Sequence, residues 1–234
     1  RERSYVFGSY QWAAVEHRGE AAWPRVCSAS GALDLFLQKK GAFYQNKSHW
    51  SADPMVHIVP HWNFKGLEGT EISVTVYTNC EELELFLNGI SLGRKQIEKY
   101  GHGEWSVKYA AGTLEVKGFN GGKEVCGDKR VTTGKPVALK LTKDNDFTAN
   151  GSDIALFTCE CVDENGLTVP NAAEYVRFSV TEPAKIIATG SDNCDHNNIA
   201  NTERKMYMGK IRIAIKLQKG QESLTLTAVS DNCD

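Results

Sequence analysis

The sequence predicts an all-β protein: two β-sandwiches in tandem, reached through an aromatic leading segment and a connector. Three observations carry this. Ile72 to Tyr77 reads ISVTVY, with Ile72, Val74 and Val76 on one face of a strand and Ser73, Thr75 and Tyr77 on the other. Short apolar runs are punctuated by turn chemistry such as Asn88-Gly89, Asn120-Gly121-Gly122 and Asp163-Glu164-Asn165-Gly166, and over 61–134 turn signals recur roughly every 8–12 residues, the pattern of a sandwich. No long segment carries a helical period.

The parts divide as 1–60, 61–134 and 135–234. In the first, Tyr5 to Trp12 reads as an aromatic strand running into the charged loop Glu16-His17-Arg18-Gly19-Glu20. Such a strand wants cover on both faces, and no later segment supplies a parallel partner. The chain is therefore expected to begin inside a larger protein. A connector follows, with a short helix expected between Lys39 and Trp50; Asp53-Pro54 ends it, because the residue before proline avoids the α region. In the second part, Leu83 to Leu87 and Ile90 to Leu92 flank Asn88-Gly89, the strongest short hairpin signal. Trp105 to Tyr109, Thr113 to Phe119 and Lys123 to Val125 complete about six strands. Gly134-Lys135-Pro136 reads as a linker. Val137 to Leu141, Ile154 to Val162, Tyr175 to Val180, Lys185 to Ala188, Ile211 to Leu217 and Ser223 to Val229 are the strands expected of the third part.

Composition excludes several classes. The formal net charge of −2 argues against nucleic acid or an anionic membrane as the main partner. No run approaches the roughly 18 apolar residues of a membrane span. The seven cysteines are scattered and form no C-x-x-C pair, so zinc and thioredoxin-like chemistry are not indicated. Cys159 and Cys161 share a strand face and are poorly placed to bridge each other. Reduced cysteines in a cytoplasmic protein are the expectation. The pentapeptide SDNCD occurs at 191–195 and again at 230–234, both times among turn-forming residues.

Candidate chemistry is sparse. Trp12 reads either as an ordinary core aromatic or as a platform for the apolar face of a pyranose at a barrel strand end. Glu16, His17, Arg18 and Glu20 hold carboxylates capable of acid–base work, though a salt-bridge network is the commoner outcome for such a loop. His49, His57 and His61 cluster in sequence, but Pro54 and Pro60 forbid one helix through them; structural roles at a domain seam are expected. Asp192, Asp195 and His196 lack the spacing of a calcium loop. Asn46-Lys47-Ser48 and Asn150-Gly151-Ser152 match the glycosylation pattern. Trp105 and Tyr109 share a face, an arrangement more often found in a core than in a sugar-binding platform. No Gly-x-Ser-x-Gly, phosphate loop or Cys/His pair is present, and no metal or cofactor is expected.

Three segments carry a resemblance: GSYQWAAVEHRGE, WPRVCSASGALDLFLQKKGAFYQNKSHW and PMVHIVPHWNF. With VYTNCEELELFLNGISLG and EWSVKYAAGTLEVKGFNGGKEV, they resemble bacterial glycoside hydrolase family 2 β-galactosidases. NGSDIALFTCECVDENGLTVPNA is similar to their C-terminal immunoglobulin-like domain and to bacterial adhesin repeats. The resemblance implies two immunoglobulin-like sandwiches preceded by the last strand and exit segment of a (β/α)8 barrel. It places Trp12 on the sugar pocket of a parent enzyme and puts the two catalytic glutamates on barrel strands outside this chain. The family's aromatic-Asp-aromatic sequence is replaced here by Val15-Glu16-His17. The implied partners are the catalytic barrel and, through it, a carbohydrate; a carbohydrate-binding module, a spacer or an oligomerisation element are the alternatives.

Overall fold

The computed structural model describes residues 4–8 and 10–233; Ser9 of the leading segment and Asp234 of the second SDNCD copy lie outside the described residues. The expected helix forms as α1, Gly41–Trp50, and its end is closed by the Ser51 amide donating to the Lys47 carbonyl, ahead of Pro54. Among the described residues fourteen strands follow: β1 Val56–Val59, β2 Glu71–Thr78, β3 Glu82–Leu87, β4 Ile90–Gln96, β5 His102–Lys108, β6 Thr113–Asn120 and β7 Lys123–Val131, then β8 Ala138–Lys143, β9 Ile154–Val162, β10 Tyr175–Val180, β11 Lys185–Gly190, β12 Glu203–Lys205, β13 Lys210–Lys216 and β14 Leu226–Val229.

The first sandwich faces sheet β1-β2-β5 against sheet β4-β3-β6-β7. Alternation does the work. Val74 and Val76 of β2, Trp105 and Val107 of β5, Leu83 and Leu85 of β3, and Leu114 and Val116 of β6 point inward and are buried together. The β3–β4 hairpin turns on Asn88 and Gly89, whose φ values of 51° and 80° are those the two-residue turn requires. β1 lies in the stretch read as connector, yet it pairs with β2 in antiparallel register from Val56↔Thr78 to Val59↔Thr75.

The second sandwich faces β12-β10-β14 against β11-β13-β9-β8. Ile211, Ile213 and Ile215 of β13 fill its centre with Val176 and Phe178 of β10 and Cys159 and Cys161 of β9. β12 is absent from the sequence reading; three residues around a buried Arg204 give no apolar alternation to detect.

Tyr5 to Trp12, read as the last strand of a barrel and expected to be poorly covered outside it, forms no strand among the described residues. A barrel strand draws its backbone bonds from neighbours on both sides, and among the described residues no strand pairs with this segment. The side chains stand in solvent: Phe7 is 103% exposed, Tyr10 95% and Trp12 72%.

Candidate functional site

The segment after Trp12 is held by backbone pairing rather than by a core. The Glu16 amide donates to the Leu33 carbonyl at 2.9 Å, Leu33 to Ala14 at 2.9 Å, Ala32 to Ala13 at 3.1 Å and Ser28 to His17 at 2.9 Å. Gly31 is required here: a Cβ would lie 2.3 Å from the Glu16 amide nitrogen. Val26 donates to the carbonyl of Asn193 at 2.8 Å, tying the segment to the second sandwich.

Glu16 is the centre of this arrangement. Its side chain is fully buried, against roughly one-third exposure for its two cationic partners, Arg25 at 2.9 Å and Lys40. The other oxygen accepts from Asn193 and, at 3.4 Å, from the Cys27 thiol. Burial pushes the Cys27 thiol up, and its hydrogen bond to Glu16 pushes it further. Two cations and two neutral donors converge on one carboxylate, which satisfies a buried charge. The salt-bridge reading of this loop therefore holds, with Arg25 and Lys40 as the partners instead of Arg18. Glu20 stays on the surface with His17, at 3.3 Å. A carboxylate so enclosed and neutralised has no open side for a substrate.

Trp12 is the opposite case. Its ring meets His17 edge-on at 5.8 Å between centroids and otherwise stands in solvent. The Trp12–Ala13 peptide is cis. Trp23, 83% exposed, packs against His196 with ring centroids 4.9 Å apart and the planes tilted by 33°. The leading segment thus presents aromatic faces to whatever packs against it.

The remaining candidates separate. His57 stacks on Tyr44 with ring centroids 3.2 Å apart; burial, then the Arg130 charge, lower it to about 4. His61 stacks on Phe64 at 4.9 Å, and His49 reaches the Tyr100 carbonyl at 3.1 Å. The three histidines do not converge, and among the described residues no cluster fit for a metal is present. Asp195 pairs with the buried Arg204, while His196 bonds the Pro24 carbonyl at 2.9 Å. Burial alone raises the Asp195 carboxyl; the Asn197 amide and Arg204 outweigh it and hold it below its ordinary range. That charge is already neutralised from within the chain. Trp105 and Tyr109 are buried, at 7% and 2% exposure, so they belong to the core, the commoner outcome for such a pair. Tyr109 packs edge-to-face with Trp62 at 5.2 Å and Phe64 at 5.7 Å.

Sequence reasoning missed Asn193, Arg25 and Lys40 as partners of Glu16. Asn193 lies 177 positions away, and no local pattern marks it.

Residues 139–234 match the family described as glycoside hydrolase family 2 C-terminal domain 5, and residues 69–126 match a domain of unknown function, DUF4982. The chain is 33% identical over 239 residues to the β-galactosidase BoGH2A of Bacteroides ovatus, covering 99% of this chain and 28% of that protein. This is a C-terminal region of glycoside hydrolase family 2. Over 97% of its length this family 2 chain is also 33% identical to a putative β-glucuronidase of Formosa agariphila, of which it covers 23%. A β-glycosidase structure from Bacteroides vulgatus superposes with a TM-score of 0.89 at 28% identity, covering 95% of this chain and 29% of that one. A family 2 member from Bacteroides cellulosilyticus gives 0.91 at 28% identity, over 95% and 34% of the two chains. The chain thus spans between 23% and 34% of the length of these four relatives. No helix among the described residues is long and apolar enough to cross a membrane.

Proposed function

We propose that this family 2 chain is the accessory part of a retaining glycosidase of the β-galactosidase or β-glucuronidase kind. In this reading it docks on a catalytic barrel through Phe7, Tyr10, Trp12 and Trp23, and Trp12 forms one wall of the sugar pocket. The observation that carries it is the contrast between Trp12 and Glu16. The ring sits 72% exposed on a segment whose backbone is fixed, while the buried carboxylate near it, Glu16, is closed off by Arg25 and Lys40. Retaining hydrolysis needs two carboxyl groups about 5–5.5 Å apart across the sugar. Glu16 cannot serve as one of them, so the chemistry belongs to the barrel. The sandwiches brace it, with the Glu16 cluster fixing the angle at which the aromatic segment leaves the second sandwich.

Purified chain should give no turnover of nitrophenyl β-galactoside or β-glucuronide. In the parent enzyme, Trp12→Ala should lower kcat/KM by roughly 10- to 100-fold, the value of burying one aromatic face of about 1.5–3 kcal/mol. Turnover by the chain alone, or wild-type kcat/KM in the variant, would sink the reading.

A second reading, sugar binding by the second sandwich itself, is favoured by one feature. An open polar cleft of about 700 Å³ beside β12 is lined by the half-exposed rings of Tyr175 and Tyr207 with Asp192, Asn197, Asn201 and Glu203. Titration calorimetry of the chain with galactose and glucuronate separates the two: saturable heat that Tyr175→Ala and Tyr207→Ala abolish supports this reading, and none leaves the accessory role alone.

A further inference from the structure

The seven cysteines are not independent. The Cys80 sulfur lies 3.5 Å from that of Cys126, and the Cys161 sulfur 3.2 Å from that of Cys233. Each pair sits inside one sandwich. We propose that Cys80–Cys126 and Cys161–Cys233 are disulfide sites that close when the chain folds against a disulfide oxidant, leaving Cys27, Cys159 and Cys194 as thiols.

The architecture around each pair is suited to a bridge. Cys80 precedes β3 and Cys126 lies on β7, with β6 between them: Gly118 of β6 pairs with Leu83 on one side and with Cys126 on the other. A Cβ on Gly118 would come within 2.8 Å of the Cys80 sulfur and 3.0 Å of the Cys126 sulfur. Its φ is not in the left-handed region, so conformation does not demand glycine there. The room it leaves is the space in which the two sulfurs meet across the strand. In the second sandwich, Cys161 on β9 belongs to one sheet, while Cys233 follows β14 of the other. A bond there would stitch the two sheets together. Forming a disulfide of about 2.05 Å brings the sulfurs together by about 1.2–1.5 Å. The partners are 46 and 72 positions apart, so each bridge closes a long loop and restricts the unfolded chain strongly.

The two sites are structural rather than switching. Cys80, Cys161 and Cys233 are buried, and burial with the partner thiol pushes Cys126 and Cys161 up to about 12, which disfavours the attacking thiolate once the fold has formed. Closure therefore accompanies folding. A protein thiolate attacks the S–S bond of the oxidant and releases one small thiol. The second protein thiolate then displaces the other. One protein S–S bond forms as one oxidant S–S bond breaks, two electrons pass to the oxidant, and the two protons end on the released thiols.

The test is to unfold the whole chain in guanidinium with reductant, then refold it in glutathione with glutathione disulfide at pH 8. It is then denatured, alkylated and weighed. Three alkylated cysteines and two cross-linked peptides, 80–126 and 161–233, are expected. More than three alkylated, any other pairing, or glutathione retained on these four positions would overturn the proposal. Melting provides an independent reading. Reduction should lower the wild-type midpoint by on the order of 10 °C, from the loop-closure effect on a domain of this size. Cys80→Ser and Cys161→Ser should each shrink that difference; equal midpoints for oxidised and reduced wild type would likewise refute it.

Discussion

Replacing Glu16 with glutamine isolates what the buried cluster contributes. Glu16→Gln keeps the shape and one acceptor oxygen but removes the charge that Arg25, Lys40, Cys27 and Asn193 surround. Breaking a buried ion pair generally costs about 3–5 kcal/mol, because a partner charge is stranded. Here Arg25 and Lys40 keep 31% and 32% of their side-chain surface in water, so they rehydrate and the cost falls at the lower end, about 3 kcal/mol. The effect should be local, since the cluster fixes the 13–40 segment to the second sandwich without touching the core of the first. Hydrogen exchange reads it directly. At about 1.36 kcal/mol per tenfold, amide protection should fall about 100-fold at Glu16, Val26, Ser28 and Leu33, which donate to Leu33, Asn193, His17 and Ala14. Protection at Val76 should not change. Unaltered exchange at all four amides, or equal loss at Val76, would refute the assignment of Glu16 as the local anchor.

Stability should also depend on pH through His57. Its folded value of about 4 lies below the unfolded value of 6.5, so between these the unfolded chain binds the proton and the folded chain does not. Stability is therefore complete above pH 6.5 and falls by about 2–3 kcal/mol as pH drops to 4. His57→Phe, which retains the stack on Tyr44, should remove that dependence in urea melts across pH 4–7. Leu85→Ala empties a fully buried site in the first sandwich and should cost about 2–5 kcal/mol, read as a lower urea midpoint with unchanged slope. Gly31→Ala should weaken the same four amides as Glu16→Gln, since its Cβ would collide with the Glu16 backbone.

Most of the strands, β1 and β12 excepted, were legible from local pattern. Period-two alternation at ISVTVY and the Asn88-Gly89 turn are local properties, fixed by the pleat and by positive φ, so strands and hairpins were legible without a partner in view. The family resemblance was legible for the same reason, as ordered runs of residues. What the sequence left open depended on residues far apart in the chain. Tyr5 to Trp12 has the alternation of a strand, yet a strand forms only where a neighbouring strand completes its ladder, and among the described residues no strand pairs with it. Trp105 and Tyr109 had the spacing of a platform, and only the opposing sheet decided that they face the core. Glu16 was one charge in a charged loop until the fold brought Asn193 across 177 positions to close around it. The cysteines looked scattered because alternating strands return distant residues to the same interior. Local geometry follows from neighbours in sequence; the neutralisation of a buried charge and the meeting of two thiols follow from neighbours in space.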